Sequence, residues 1–136
     1  MKKTSFLLLI LAVQVCLSCS ASNNKKGSQT DDFKIEKTLC DLGTVYTDSA
    51  KRSFVLNIEN TGDTVIIVRN IRTDCSCTKA EMSGKVIRPH GKAYLNVNID
   101  LGEFVPSPVT KKIGIYIMNR KEPVIIDIKG LLQHRR

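Results

Sequence analysis

The chain predicts an all-β fold, two antiparallel sheets packed face to face, and three observations carry that prediction. From Phe33 onward apolar residues recur with period two, and no window sustains a helical period. Turn-forming clusters separate the apolar runs at short intervals. About seven such runs, each with one apolar face, are what a sandwich needs to close a core between its sheets.

The runs succeed one another along the chain. In 52–60 (RSFVLNIEN) Phe54, Leu56 and Ile58 share one face, and Asn60-Thr61-Gly62-Asp63 turns the chain. Ile66 and Val68 then share a face, but the next apolar residue is Ile71, an odd step that reverses the parity. A bulge or bend near Arg69-Asn70 would return Ile71 to the core and re-aim the residues beyond it, so that Ile71, Thr73, Cys75 and Cys77 point the same way in an extended chain. After Pro89-His90-Gly91, the run 92–101 (KAYLNVNIDL) sets Leu95, Val97, Ile99 and Leu101 inward and Asn96, Asn98 and Asp100 outward. Beyond Pro106-Ser107-Pro108, 111–118 (KKIGIYIM) repeats the pattern with Ile113, Ile115 and Ile117. Asn119-Arg120-Lys121-Glu122 leads into 123–131, with Val124, Ile126 and Ile128 inward and Pro123 at the strand start, where a missing N–H is tolerated. An immunoglobulin-like sandwich is the natural solution. With no Trp and no antibody-type cysteine spacing, its core must rest on Ile, Val, Leu and Phe.

The N-terminus reads as an export signal. Lys2 and Lys3 form a basic start, and the apolar run 6–15 (FLLLILAVQV) is too short to span a bilayer. Cys16-Leu17-Ser18-Cys19 comes next, with a small residue before the second cysteine, and resembles a bacterial lipobox that has Cys16 where Leu is usual. Cleavage before Cys19 would leave its thiol for diacylglycerol attachment. The expected organisation is a lipoprotein signal peptide over 1–18, the lipidated Cys19 and a flexible polar tether over 19–32 (CSASNNKKGSQTDD), one domain over 33–132 and a basic tail over 133–136. Acyl chains at about 0.8 kcal/mol per buried methylene would hold the chain on a membrane. The missing acidic residues after Cys19 favour a periplasm-facing lipoprotein over a surface-exposed one. Cleavage after Ser18 or Ala21, giving a soluble periplasmic protein, is the alternative.

Charge narrows the partners. Removing Lys2 and Lys3 lowers the net charge from +8 to +6, 19 Lys and Arg against 13 Asp and Glu. The basic residues are scattered rather than gathered in a stripe with aromatics, so nucleic acid is not expected as a partner. A basic surface near anionic lipid headgroups is the simpler reading.

Taken together, Cys40-Asp41-Leu42-Gly43-Thr44-Val45, Phe54-x-Leu56-x-Ile58-x-Asn60-Thr61-Gly62, Ile66 through Cys75-Ser76-Cys77-Thr78, Ile87-Arg88-Pro89-His90-Gly91 and Ile126-x-Ile128-x-Gly130 resemble the domain of unknown function 1573. That family comprises bacterial, often Bacteroidetes, exported immunoglobulin-like domains of the abnormal-spindle and Hydin type. The resemblance spans 33–132. Ser76 stands where the family usually has Gly, and His90 interrupts its Pro-Gly turn. The resemblance implies a sandwich on a secreted or lipid-anchored protein, and implies no reaction.

Cys75 and Cys77 admit three readings. In an extended strand their Cα atoms would lie about 6.6 Å apart, toward the long end for a disulfide. With Cys19 lipidated, Cys40, Cys75 and Cys77 remain, an odd count that argues against a simple framework but leaves Cys40 able to bridge one of the pair. As thiolates the two could hold Cu(I), with His90 or Cys40 as a third ligand; zinc would want four, which the sequence does not space. As small apolar residues they could pack without a ligand, and this reading is preferred. His90 reads as a surface-turn residue and His134 as part of the tail. Neither the two histidines nor Asp41, Asp48, Asp63 and Asp74, which fall at turns and strand ends, form a catalytic arrangement. The expected function is a non-enzymatic, lipid-anchored binding or assembly module of the cell envelope, with an envelope protein as partner and neither cofactor nor small-molecule substrate. The alternative is a thiol protein that binds Cu(I) or exchanges disulfides through Cys75 and Cys77.

Overall fold

A computed structural model describes residues 32–135. The signal peptide, Cys19 and the tether before Asp32 lie outside the described residues. Among the described residues nine strands run in chain order: β1 (Phe33–Ile35), β2 (Leu39–Tyr46), β3 (Lys51–Asn60), β4 (Ile66–Thr73), β5 (Thr78–Met82), β6 (Val86–Ile87), β7 (Lys92–Asp100), β8 (Pro108–Ile117) and β9 (Val124–Gln133). Seven of them are five residues or longer, in line with the sequence; β1 and β6 are short additions. They form a four-stranded sheet, β1-β3-β7-β5, and a five-stranded sheet, β2-β9-β8-β4-β6.

The alternating runs place the core. Leu95, Val97 and Ile99 on β7 and Ile113, Ile115, Ile126 and Ile128 on β8 and β9 are at most 2% exposed and meet between the sheets. Each such side chain contributes about 1.5–3 kcal/mol on leaving water, which is why the pattern governs the fold. The expected bulge in β4 is present: its register against β8 shifts between Val68 and Asn70. The Asn70 Oδ1 accepts the Ile71 N–H at 2.8 Å there, and Ile71 packs on the core. One pairing departs from the antiparallel expectation. β2 runs parallel to β9, Leu39 beside Asp127 and Tyr46 beside Gln133. Side-chain alternation is the same for both directions, so the sequence carries no sign of this.

Asn60 is the buried polar residue that holds one end of the sandwich together. Its side chain is fully buried, with Nδ2 within 2.7–3.1 Å of the carbonyl oxygens of Thr64, Ile87 and Arg88, while Oδ1 accepts the Gly62 N–H at 3.1 Å. It therefore ties the turn after β3 to the turn before β7. Gly91 is required in the second turn because a Cβ there would sit 2.9 Å from the Arg88 carbonyl oxygen.

Candidate functional site

The chain leaves β4 at Thr73, crosses to the other sheet and enters β5 at Thr78, and Cys75 and Cys77 lie on this crossing. Here the structure corrects the preferred reading. The two cysteines are joined in a disulfide, with Cα atoms 5.2 Å apart. The extended-strand estimate failed because the backbone turns: the Thr78 N–H bonds the Cys75 carbonyl at 3.1 Å, which draws the two residues together.

The turn is fastened to both sheets. On one side the Asp74 N–H donates to the Lys112 carbonyl at 3.2 Å and the Lys112 N–H donates to the Asp74 carboxylate at 2.9 Å. On the other, the Asp100 N–H donates to the Cys77 carbonyl at 2.9 Å. The Thr73 hydroxyl adds a bond to the Cys75 carbonyl at 3.2 Å. The Cys77 N–H points at the Cys75 sulfur, 3.1 Å away.

A groove of about 480 Å³ opens beside the pair on the outer face of the four-stranded sheet. Ser53, Asn98 and Lys79, side by side across β3, β7 and β5, line it together with Ser76, Cys77, Glu103 and Phe104. Lys51 and Asp100, 3.5 Å apart, lie at its end.

The remaining candidates are elsewhere. Cys40 is free and 8% exposed, paired with Ile128 and facing inward. β9 and β8 separate its strand from β4, about 14 Å at the usual strand spacing, so it does not bridge the pair. Burial pushes its thiol pKa up, against the opposing pull of Lys37 and with a small push from Glu36. His90 precedes β7, whereas Cys77 bonds the far end of that strand, about 27 Å away at the usual rise. The copper set of Cys75, Cys77 and His90 is therefore not assembled, and among the described residues no three His, Cys, Asp or Glu side chains gather as a metal site. His90 instead lies 3.0 Å from the Asp63 carboxylate on the surface. His134 and Arg135 fold onto the 3₁₀ turn Thr47–Ser49, at Thr47 and Asp48. Asp41 and Asp74 accept backbone N–H groups from Gly43 and Lys112, the capping role that their turn positions suggested.

A second groove, about 540 Å³, runs between β2 and β3 at the side of the sandwich, lined by Leu39, Leu42, Phe54 and Val55 among others. β1 pairs only with Ile58, Glu59 and Asn60 of β3, so the rest of that edge has no partner strand among the described residues. No sequence signal marked this edge, because a strand's neighbours are set by chain topology.

The family model described as "Protein of unknown function (DUF1573)" matches residues 33–132. Among solved structures, a protein of unknown function from Porphyromonas gingivalis W83 is similar at TM-score 0.65 and 18% identity, over 74% of this chain and 46% of that one. A family 123 glycoside hydrolase from Clostridium perfringens is similar at TM-score 0.61 and 8% identity, over 76% and 27%. The ASH/PapD-like domain of human CEP192 is similar at TM-score 0.56 and 8% identity, over 77% and 87%. The chain thus spans less than half of the Porphyromonas protein and about a quarter of the hydrolase. At these identities the likeness shows the sandwich fold alone. A search of curated proteins found no match.

Proposed function

The chain belongs to the DUF1573 family of proteins of unknown function, and on that premise we propose that it is a binding module of the bacterial cell envelope. In this reading it is lipid-anchored through Cys19, faces the periplasm, and takes an extended segment of an envelope protein along the open edge of β3. The open edge is the observation that carries the proposal. The Glu36 N–H bonds the Asn57 carbonyl, so Asn57 presents its backbone to the β1 side. By strand alternation Ser53 and Val55 present theirs to the same side, beyond the reach of β1. Across the groove, β2 is a poorer template: its register shifts between Asp41 and Thr44, with Gly43 at φ +61°. Such a bulge twists an edge away from pairing.

Four open backbone groups at about 0.5–1.5 kcal/mol per hydrogen bond give modest affinity. Exposed Val55 and Leu39 add apolar area beside them. Co-localisation on a membrane would raise the effective concentration of both partners, which suits a weak edge contact.

The test uses the full-length chain in a bacterial envelope. Cys19→Ala should move it from the membrane to the soluble fraction. A photo-crosslinking residue at Val55 should capture a discrete envelope protein that the same residue at Lys129, on the outer face of the other sheet, does not. Membrane retention of the Cys19→Ala chain would refute the anchor, and equal capture at both positions would refute the edge.

A further inference from the structure

The Cys75–Cys77 disulfide is badly placed for a structural staple. It closes a loop of one intervening residue, the case in which a cross-link restrains the unfolded chain least. It is also redundant, because backbone hydrogen bonds to Lys112, Thr78 and Asp100 already hold the turn on both sheets. A disulfide that adds so little constraint yet lies on a groove calls for a chemical role.

We propose that Cys75 and Cys77 form a thiol–disulfide exchange site whose substrate is a cysteine thiol on an extended polypeptide seated in the adjoining groove. Of the two sulfurs' residues, Cys77 lines the groove, so its sulfur is the one attacked. The substrate thiolate forms a bond to the Cys77 Sγ as the bond from that sulfur to the Cys75 Sγ breaks. Cys75 leaves as a thiolate, and the Cys77 N–H, 3.1 Å from its sulfur, stabilises the charge. A second thiol of the substrate then attacks the mixed disulfide and displaces Cys77. The substrate is oxidised to a disulfide, the pair is reduced to two thiols, and the two substrate protons end on Cys75 and Cys77. No other oxidant is consumed in that single exchange. The backbone anchors keep the reduced cysteines in place, so the reverse reaction meets the same geometry.

The groove favours a polypeptide over a small thiol. Lys79 and Glu103 offer charges of both signs, Asn98 offers an amide, and Phe104, 38% exposed, offers an apolar ring around a groove of about 480 Å³.

The purified full-length chain, oxidised and free of reductant, is mixed at neutral pH with a short peptide carrying one cysteine. The reaction is quenched with acid, and the mixed disulfide is located by tandem mass spectrometry. Peptide should be found on Cys77 over Cys75 by about tenfold, the worth of one hydrogen bond to a charged group. A two-cysteine peptide should lose both thiols as the chain gains two. Glutathione at equal concentration should react about tenfold more slowly, because it makes few of the groove contacts. A disulfide that reacts only in denaturant would overturn the proposal, as would equal occupancy of the two cysteines. Glutathione reacting as fast as the peptide would overturn the polypeptide substrate.

Discussion

Cys40 points inward from β2 opposite Ile128, whereas Cys75 and Cys77 lie on the turn that carries the chain from one sheet to the other. Three cysteines of one small domain thus occupy two settings. Inside the sandwich Cys40 behaves as a small hydrophobe, and burial keeps its thiol protonated. On the turn, a single residue between two cysteines and a backbone hydrogen bond from Thr78 bring the sulfurs into covalent contact. Backbone placement, more than residue type, decides whether a cysteine packs in the core or closes a disulfide.

The widest gap between the two settings should appear in alkylation. After mild reduction of the folded chain, Cys75 and Cys77 should take up iodoacetamide readily. Cys40 has to wait for β2 to open, and should label more slowly by a factor on the order of 10³. Mass spectrometry of timed digests reads all three sites, and denaturant should abolish the difference. If Cys40 labels alongside the pair in the folded chain, its edge strand opens far more easily than its burial implies.

That contrast also marks how far the sequence was legible. The period-two runs identified Leu95, Val97, Ile99, Ile113, Ile115, Ile126 and Ile128 as inward residues, because a buried face leaves its mark at every second position. The parity break after Val68 disclosed the bulge for the same reason. Where function is concerned, the pattern was silent. The closure of Cys75 on Cys77 depends on a turn fastened by Lys112 and Asp100, residues distant in the chain. Asn60 gave only a turn signal, and its bonds to Ile87 and Arg88 arise from tertiary contact. Strand direction in β2 and the open edge of β3 are topological, and no local pattern records them.

Stability should separate the settings next. Ile113 lies opposite Thr73, where β4 feeds the turn, and is fully buried. Ile113→Ala leaves a cavity in the core and should cost about 2–5 kcal/mol in chemical denaturation. Replacing both Cys75 and Cys77 by Ser should cost about 1.5 kcal/mol or less, since so short a loop removes little entropy from the unfolded chain. A double variant as damaged as Ile113→Ala would mean that the disulfide, rather than the hydrogen bonds around it, holds the turn.

The smallest effect is a pH dependence, and of these three cysteines it belongs to Cys40. Below about pH 8.5 its thiol is protonated in both the folded and the unfolded chain and contributes no slope. Above that, the unfolded chain has released the proton while the folded chain, with its raised pKa, still holds it. The unfolded state then binds fewer protons, so stability falls as pH rises, by at most about 1.4 kcal/mol per pH unit, until the folded pKa is passed. The oxidised pair adds nothing, because its sulfurs carry no titrating proton. Cys40→Ala should lower stability at neutral pH and remove the alkaline slope. Urea unfolding of the two chains between about pH 7.5 and about pH 9.5 should therefore show the gap between them narrowing with pH. Parallel profiles would place the Cys40 thiol in contact with water and erase its distinction from the turn.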